Sequence, residues 1–228
     1  MGDAGKGKTG ATFLDLEASD PWVRCRAAAK LARARTLEAA EALGKALYDP
    51  EPFVRWSAAQ ALGQLASQAA GPVVVTVGRL LLEVAEAADP GARAAVADTV
   101  AAWGQGSPLE PLFAMLQDRD PSVRAAAARA LGLAGSRSPQ VVMPSLLRAI
   151  EDPDLEVRRV AAIGLAWCRD GSASAALHGL LTDPVGAVRE AAVRALARVS
   201  GNELEATVLA LLEDKDRAVR VEAIRFLR

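Results

Sequence analysis

An all-α solenoid of about seven stacked helical hairpins, coiled as a right-handed superhelix, is the fold class that the sequence predicts. Three observations predict it. One phrase recurs through the chain at near-constant spacing, its apolar positions fall at helical rather than strand spacing, and Asp-Pro pairs mark where helices begin.

The phrase reads "SDPWVRCRAAAKL", "DPEPFVRWSAAQAL", "DRDPSVRAAAARAL", "DPDLEVRRVAAIGL", "DPVGAVREAAVRAL" and "DKDRAVRVEAIRFL", with a degenerate copy "ADPGARAAVADTV". Its anchoring arginines are Arg24, Arg55, Arg93, Arg124, Arg158, Arg189 and Arg220, separated by 31, 38, 31, 34, 31 and 31 residues. The unit is therefore 31 residues long.

Each unit holds two helices. After each anchor, positions three, four and seven are apolar, as in Ala58, Ala59 and Leu62, or Ala127, Ala128 and Leu131, or Ala161, Ala162 and Leu165. That is one face of a helix. Asp20, Asp89 and Asp120 stand before Pro21, Pro90 and Pro121, an N-cap acceptor followed by the residue best suited to the first helical position. A preceding helix shows in the column Leu43, Leu112, Leu146, Leu177 and Val208 and, four residues on, in Leu47, Leu116, Ile150, Leu181 and Leu212. In the third unit "VVVTV" could suggest a strand, but Val74, Val77, Leu81, Val84 and Ala88 continue at helical spacing after Pro72. It reads as a lengthened first helix. A hairpin cannot bury both faces alone, whereas a stack gives a continuous core in which each unit touches its neighbours.

The phrase DPxxxVRxxAAxAL at this spacing resembles the short HEAT-like repeats, including those of bilin-lyase-type proteins, over residues 13–228. The reading is one solenoid domain over 13–228 preceded by a flexible tail over 1–12. The resemblance implies a fold and leaves function open, because such repeats serve many unrelated tasks.

Composition narrows the classes. The 228 residues are 51% hydrophobic and 24% charged, with a net charge of -1 and a pI near 6.0, which fits a folded chain with no global basic field for nucleic acid. Cys25 and Cys168 have neither metal-ligand spacing nor the number a disulfide framework needs, in keeping with a reducing cytoplasm. No apolar run reaches membrane-spanning length. "GDAGKGKTG" at residues 2–10 spells the phosphate-loop pattern, yet only Met1 precedes it, so the buried strand that holds such a loop still has no room to form.

Candidate chemistry is sparse. Asp49, Asp118, Asp152, Asp183 and Asp214 lie six positions before Arg55, Arg124, Arg158, Arg189 and Arg220. Five equivalent pairs make a poor catalytic site, and the resemblance implies that they bridge neighbouring units and tie down turn amides. His178, the only histidine, sits beside the core column with no second histidine to share a metal. No catalytic residue, metal ligand or cofactor site is expected.

The resemblance also implies that the second helices line a concave face. Positions one, five and nine after the anchors form its stripe, and there the candidate binding residues are Trp56, Gln60, Arg129, Arg159, Trp167, Arg194, Arg198 and Arg225. The C-terminal half of the stripe counts five arginines against Glu190 alone; Trp22 and Trp103 fall off it and are read as structural. The chain stops at "VEAIRFLR" without a polar capping helix, which suggests docking through the last repeat or end to end.

Three functions stay open on these residues. The first is a non-enzymatic scaffold gripping an acidic segment of another protein. The second is nucleic-acid binding through the same arginines, against which the neutral total charge counts. The third, which the resemblance permits, is a lyase-like chaperone that attaches a prosthetic group to a partner.

Overall fold

The computed structural model describes residues 12–199 and 205–227. The "GDAGKGKTG" stretch lies outside them, and so does the tail read over 1–12 apart from Thr12, at which a helical turn over 12–15 begins. The chain divides into two compact units, Met1–Met115 and Leu116–Arg228.

In the first unit the turn at 12–15 is followed by α1 (Pro21–Leu31), α2 (Leu37–Ala46), α3 (Pro52–Gln68), α4 (Pro72–Ala85), α5 (Pro90–Trp103) and α6 (Glu110–Met115). First helices α2, α4 and α6 pack in one row and second helices α1, α3 and α5 in another. The "VVVTV" stretch is helical, in an α4 of 14 residues against 10 in α2, with Val77, Leu81 and Val84 buried.

The second unit holds α7 (Pro121–Gly135), α8 (Pro139–Ala149), α9 (Leu155–Cys168), α10 (Ser174–Gly179), α11 (Gly186–Val199), α12 (Glu205–Ala210) and α13 (Arg217–Phe226). Here the second helices α7, α9, α11 and α13 stack in order. Gly132 of α7 meets Gly164 of α9, where a β-carbon added to Gly132 would lie 2.7 Å from the Gly164 Cα. The helices approach closely because neither carries a side chain at the crossing.

Both units follow the repeat. The second-helix trios Ala58, Ala59 and Leu62, Ala127, Ala128 and Leu131, and Ala161, Ala162 and Leu165 are fully buried, as are Leu43, Leu112, Leu146, Leu177 and Val208 of the first helices. Leu116 and Leu212 are only half-buried. For Leu212 the cause is local, because among the described residues its hairpin has a neighbour on one side alone. Asp20, Asp89 and Asp120 accept from the amides of Trp22, Ala92 and Ser122 at 2.9, 2.7 and 2.9 Å. Asp154 and Asp216 cap α9 and α13 in the same way without a following proline. Each such cap stabilises its helix by about 1 kcal/mol.

A ladder of arginine and aspartate runs along the turns. Arg24 holds Asp49 in a two-pronged bond at 2.7 and 2.8 Å, Arg124 holds Asp152 at 2.7 and 2.9 Å, Arg158 holds Asp183 at 2.8 and 3.1 Å, and Arg189 holds Asp214 at 2.8 and 2.7 Å. Every one of these pairs joins an anchor to the next repeat. Within its own repeat the anchor donates instead to the aspartate's backbone carbonyl, Arg55 to Asp49 and Arg220 to Asp214 each at 2.7 Å. These carboxylates also accept the turn amides of Glu51, Asp154, Val185 and Asp216, and Asp118 accepts that of Asp120. Burial works against the charge on Asp49, Asp152 and Asp183, yet the guanidinium and amide donors outweigh it and hold these carboxyls below the ordinary value of 3.8. For Asp214 the bond from Arg189 is the largest influence, with the same result.

The ladder has a gap at Arg55. The next repeat offers Ala87 where an aspartate belongs, and the Arg55 guanidinium lies over Gly91, so close that a β-carbon there would meet Nη2 at 2.4 Å. Ala87→Asp should therefore stabilise the protein by about 1 kcal/mol, the worth of a charge-assisted hydrogen bond at a partly exposed site. Thermal melts in the native and Arg55→Ala backgrounds check this as a double-mutant cycle. A gain that persists without Arg55 would refute the pairing.

Candidate functional site

The second helices present their stripe to solvent, and its character differs between the units. In the first unit it is aromatic. Trp56 on α3 is 56% exposed and Gln60 half-buried. Trp22 on α1, read from sequence as structural, is 69% exposed and packs its ring 5.1 Å from that of Phe53 on α3. It lies three residues before Cys25 on the same helical face, so the stripe has an aromatic neighbour one turn beyond the counted positions. Trp103 is buried, as a structural residue would be.

In the second unit the stripe is charged. Arg159 on α9 donates to Glu156 at 2.8 and 2.6 Å, one turn back on its own helix. Arg194 on α11 contacts Glu190 and, at 3.2 Å, Glu222 of α13, and Arg225 meets Glu222 at 3.1 Å. Burial would raise the Glu222 carboxyl, but the two arginines pull it below its ordinary value. Glu156 is lowered chiefly by its bond from Arg159. Arg129, exposed on α7, adds a further positive charge near Glu156.

The count of five arginines against Glu190 alone is thus incomplete. Glu156 stands two residues before its anchor and Glu222 two after, and both enter the cluster that the stripe positions left them out of. Among Arg159, Arg194 and Arg225, every guanidinium already faces a carboxylate. Arg198 differs. Its guanidinium lies 4.7 Å from the centre of the Trp167 ring, a cation-π contact between α11 and α9. Trp167 is 41% exposed, with Ile163 one turn before it and exposed Leu133 on α7.

Elsewhere the chemistry is quiet. His178 is half-buried, its Nδ1 3.0 Å from the carbonyl oxygen of Ser174. Cys168 is buried, which pushes its thiol up, and Cys25 is half-buried with Sγ 3.6 Å from the Phe53 carbonyl oxygen. Among the described residues no three His, Cys, Asp or Glu side chains converge as metal ligands, and no helix is long and apolar enough to cross a membrane. On α13, Val221 and Ile224 are exposed and Phe226 half-buried.

The family model of HEAT repeats matches the chain over residues 11–77, 78–166 and 143–228. Among solved structures, the X-ray structure of YibA from Escherichia coli superposes with a TM-score of 0.66 at 23% identity, covering 92% of this chain and 75% of YibA. An engineered protein superposes at 0.54 and 23% identity, over 97% of this chain and 67% of its own. A designed armadillo repeat protein reaches 0.45 at 17% identity, over 95% and 97%. At such identities the likeness to the first two is one of fold alone. No curated protein matches the chain.

Proposed function

The chain belongs to the HEAT repeat family, and from that premise we propose that it is a non-enzymatic scaffold whose second-helix stripe, in the C-terminal unit, grips an acidic segment of a partner protein. The observation that carries this reading is Arg198 seated on the exposed ring of Trp167. That pair offers what a hot spot requires: a large, rigid apolar surface and a cation that no carboxylate among the described residues has neutralised.

The cluster around it is graded. An incoming carboxylate gains most at Arg198, while at Arg159, Arg194 and Arg225 it must displace Glu156, Glu190 or Glu222. An apolar residue beside that carboxylate would cover Trp167, Ile163 and Leu133. The segment this favours is short and acidic, with one leucine or aromatic anchor.

An array of acidic peptides, each with a single apolar anchor, tests the reading with the full chain. Trp167→Ala should cost the best binders about 2 kcal/mol or more. Arg198→Glu should abolish capture, while Arg33→Glu, two residues past the end of α1, should leave it unchanged. Equal capture by the native protein and by both C-terminal variants, with unchanged melting temperatures, would remove the assignment.

A further inference from the structure

On the other side of the first unit lies a groove of about 600 Å³ between the helical turn at 12–15 and α2. Phe13, Leu16, Leu37 and Tyr48 give it apolar walls, and Ala42 and Ala46 of α2 give it a low floor. Four carboxylates, Glu17, Glu38, Glu41 and Asp49, line it with Lys45 as the one cation among the described lining residues; Arg24 holds Asp49 and Arg79 holds Glu41. Leu37 and Tyr48 are both exposed.

The opposite flank of α2 shows what such a surface accepts. There α4 packs its leucine stripe, with the Leu80 side chain against Gly44, where a β-carbon would approach to 2.9 Å. Arg79 of the same helix reaches across to Glu41. The contact thus has two parts, a branched apolar residue set on small ones and a guanidinium on a rim carboxylate. Ala42 and Ala46 repeat the small-residue surface on the groove side, and Glu38 and Glu17 repeat the carboxylates. In the following repeats a first helix fills this place; here the described residues supply a single turn.

We propose that this groove docks an amphipathic helix of a partner protein, with leucine-type residues at i, i+3, i+4 and i+7 and arginine or lysine on its flanks. The occupant is a helix because the slot lies where first helices lie elsewhere in the unit, and basic because Glu17 and Glu38 add their charge to the rim beyond the two carboxylates that Arg24 and Arg79 already hold. Residues 1–11 do not answer this description: they hold four glycines and a single large apolar side chain, Met1. This surface is separate from the stripe of the C-terminal unit, and neither proposal depends on the other.

The test uses the full chain and a fluorescent alanine-based peptide with four leucines on one face and four arginines on its flanks, followed by anisotropy. The peptide should bind with micromolar affinity. Its affinity should fall by about tenfold or more for the Glu17→Lys, Glu38→Lys double variant, and a peptide with glutamate in place of arginine should not bind the native protein. Absence of binding at millimolar protein, or equal binding of the arginine and glutamate peptides, would overturn the proposal. So would an affinity that rises about tenfold when residues 1–11 are removed, which would make the chain's own N-terminus the occupant. A dimer in sedimentation that the double variant abolishes would make it a second copy and overturn the proposal as well.

Discussion

Asp183→Ala is expected to destabilise the protein by about 3–5 kcal/mol at neutral pH, because it strands the Arg158 guanidinium in a site where the two side chains are 13% and 6% exposed. The variant also removes the acceptor for the Val185 amide in the same turn. Urea unfolding measures the loss. Arg220→Ala supplies the internal comparison, since Arg220 occupies the equivalent place yet among the described residues bonds only the carbonyls of Asp214 and Lys215, at 2.7 and 3.2 Å. That variant should cost about 1 kcal/mol. If the two lost the same stability, the inter-repeat ion pair would not be the source of the effect.

The same pair predicts how stability responds to acid. Asp183 has a folded value below its unfolded one, so its contribution is complete above the unfolded carboxylate range and is lost as pH falls through the folded value. With Asp49, Asp152 and Asp214 lowered in the same sense, the native protein should lose stability steeply below about pH 4. Asp183→Ala should show a shallower slope, having one linked carboxylate fewer. An identical slope in both proteins would contradict the linkage.

Gly63→Ala should cost about 2 kcal/mol or more, against the rule that alanine favours helices over glycine. A β-carbon at Gly63 of α3 would lie 2.5 Å from the Thr99 carbonyl oxygen, 2.6 Å from the Ala102 β-carbon and 2.7 Å from the Trp103 nitrogen of α5. Two of these atoms are backbone, so no rotamer change relieves the clash and the helices must separate. Overpacking of this kind costs about 1–3 kcal/mol and the separation loses further contacts, while helix propensity returns only about 1 kcal/mol. Gly78→Ala on α4 should have the opposite sign. Nothing lies within 4 Å of its added carbon, so propensity acts alone and stability should rise by up to about 1 kcal/mol. Thermal melts of the two variants decide the matter, and destabilisation by both would show that α4 is packed differently.

Much of the fold was legible in particular residues. The trio Ala58, Ala59 and Leu62 at one helical spacing announces a buried stripe before any neighbour is known, and the pair Asp89 and Pro90 announces the start of α5. The helical period of Val77, Leu81 and Val84 outweighed the β propensity of "VVVTV" because the pattern ran on past it. The candidate site was less legible. Trp22, Phe53 and Glu156 occupy the place two residues before their anchors, a single helical turn from the stripe positions one after, and a spacing of three would have included them. Glu222 was hidden differently, at the place two after its anchor where Ser57, Ala95, Ala126 and Ala191 are small.

What the sequence by itself determined is therefore the repeat: its period, its hairpins, its caps, its core columns and the residues available for a ladder. These are local or periodic, so each copy of the phrase carries the information independently and the copies reinforce one another. Tertiary structure alone decided which copy each residue meets. It joined the Asp49 carboxylate to Arg24 rather than to Arg55, placed Arg198 on Trp167, matched Arg194 with Glu222, opened a groove beside α2 and crowded Gly63 while leaving Gly78 open. The reason is physical: such contacts depend on distances between helices that are set jointly by every side chain at the crossing, and no one helix's sequence contains them.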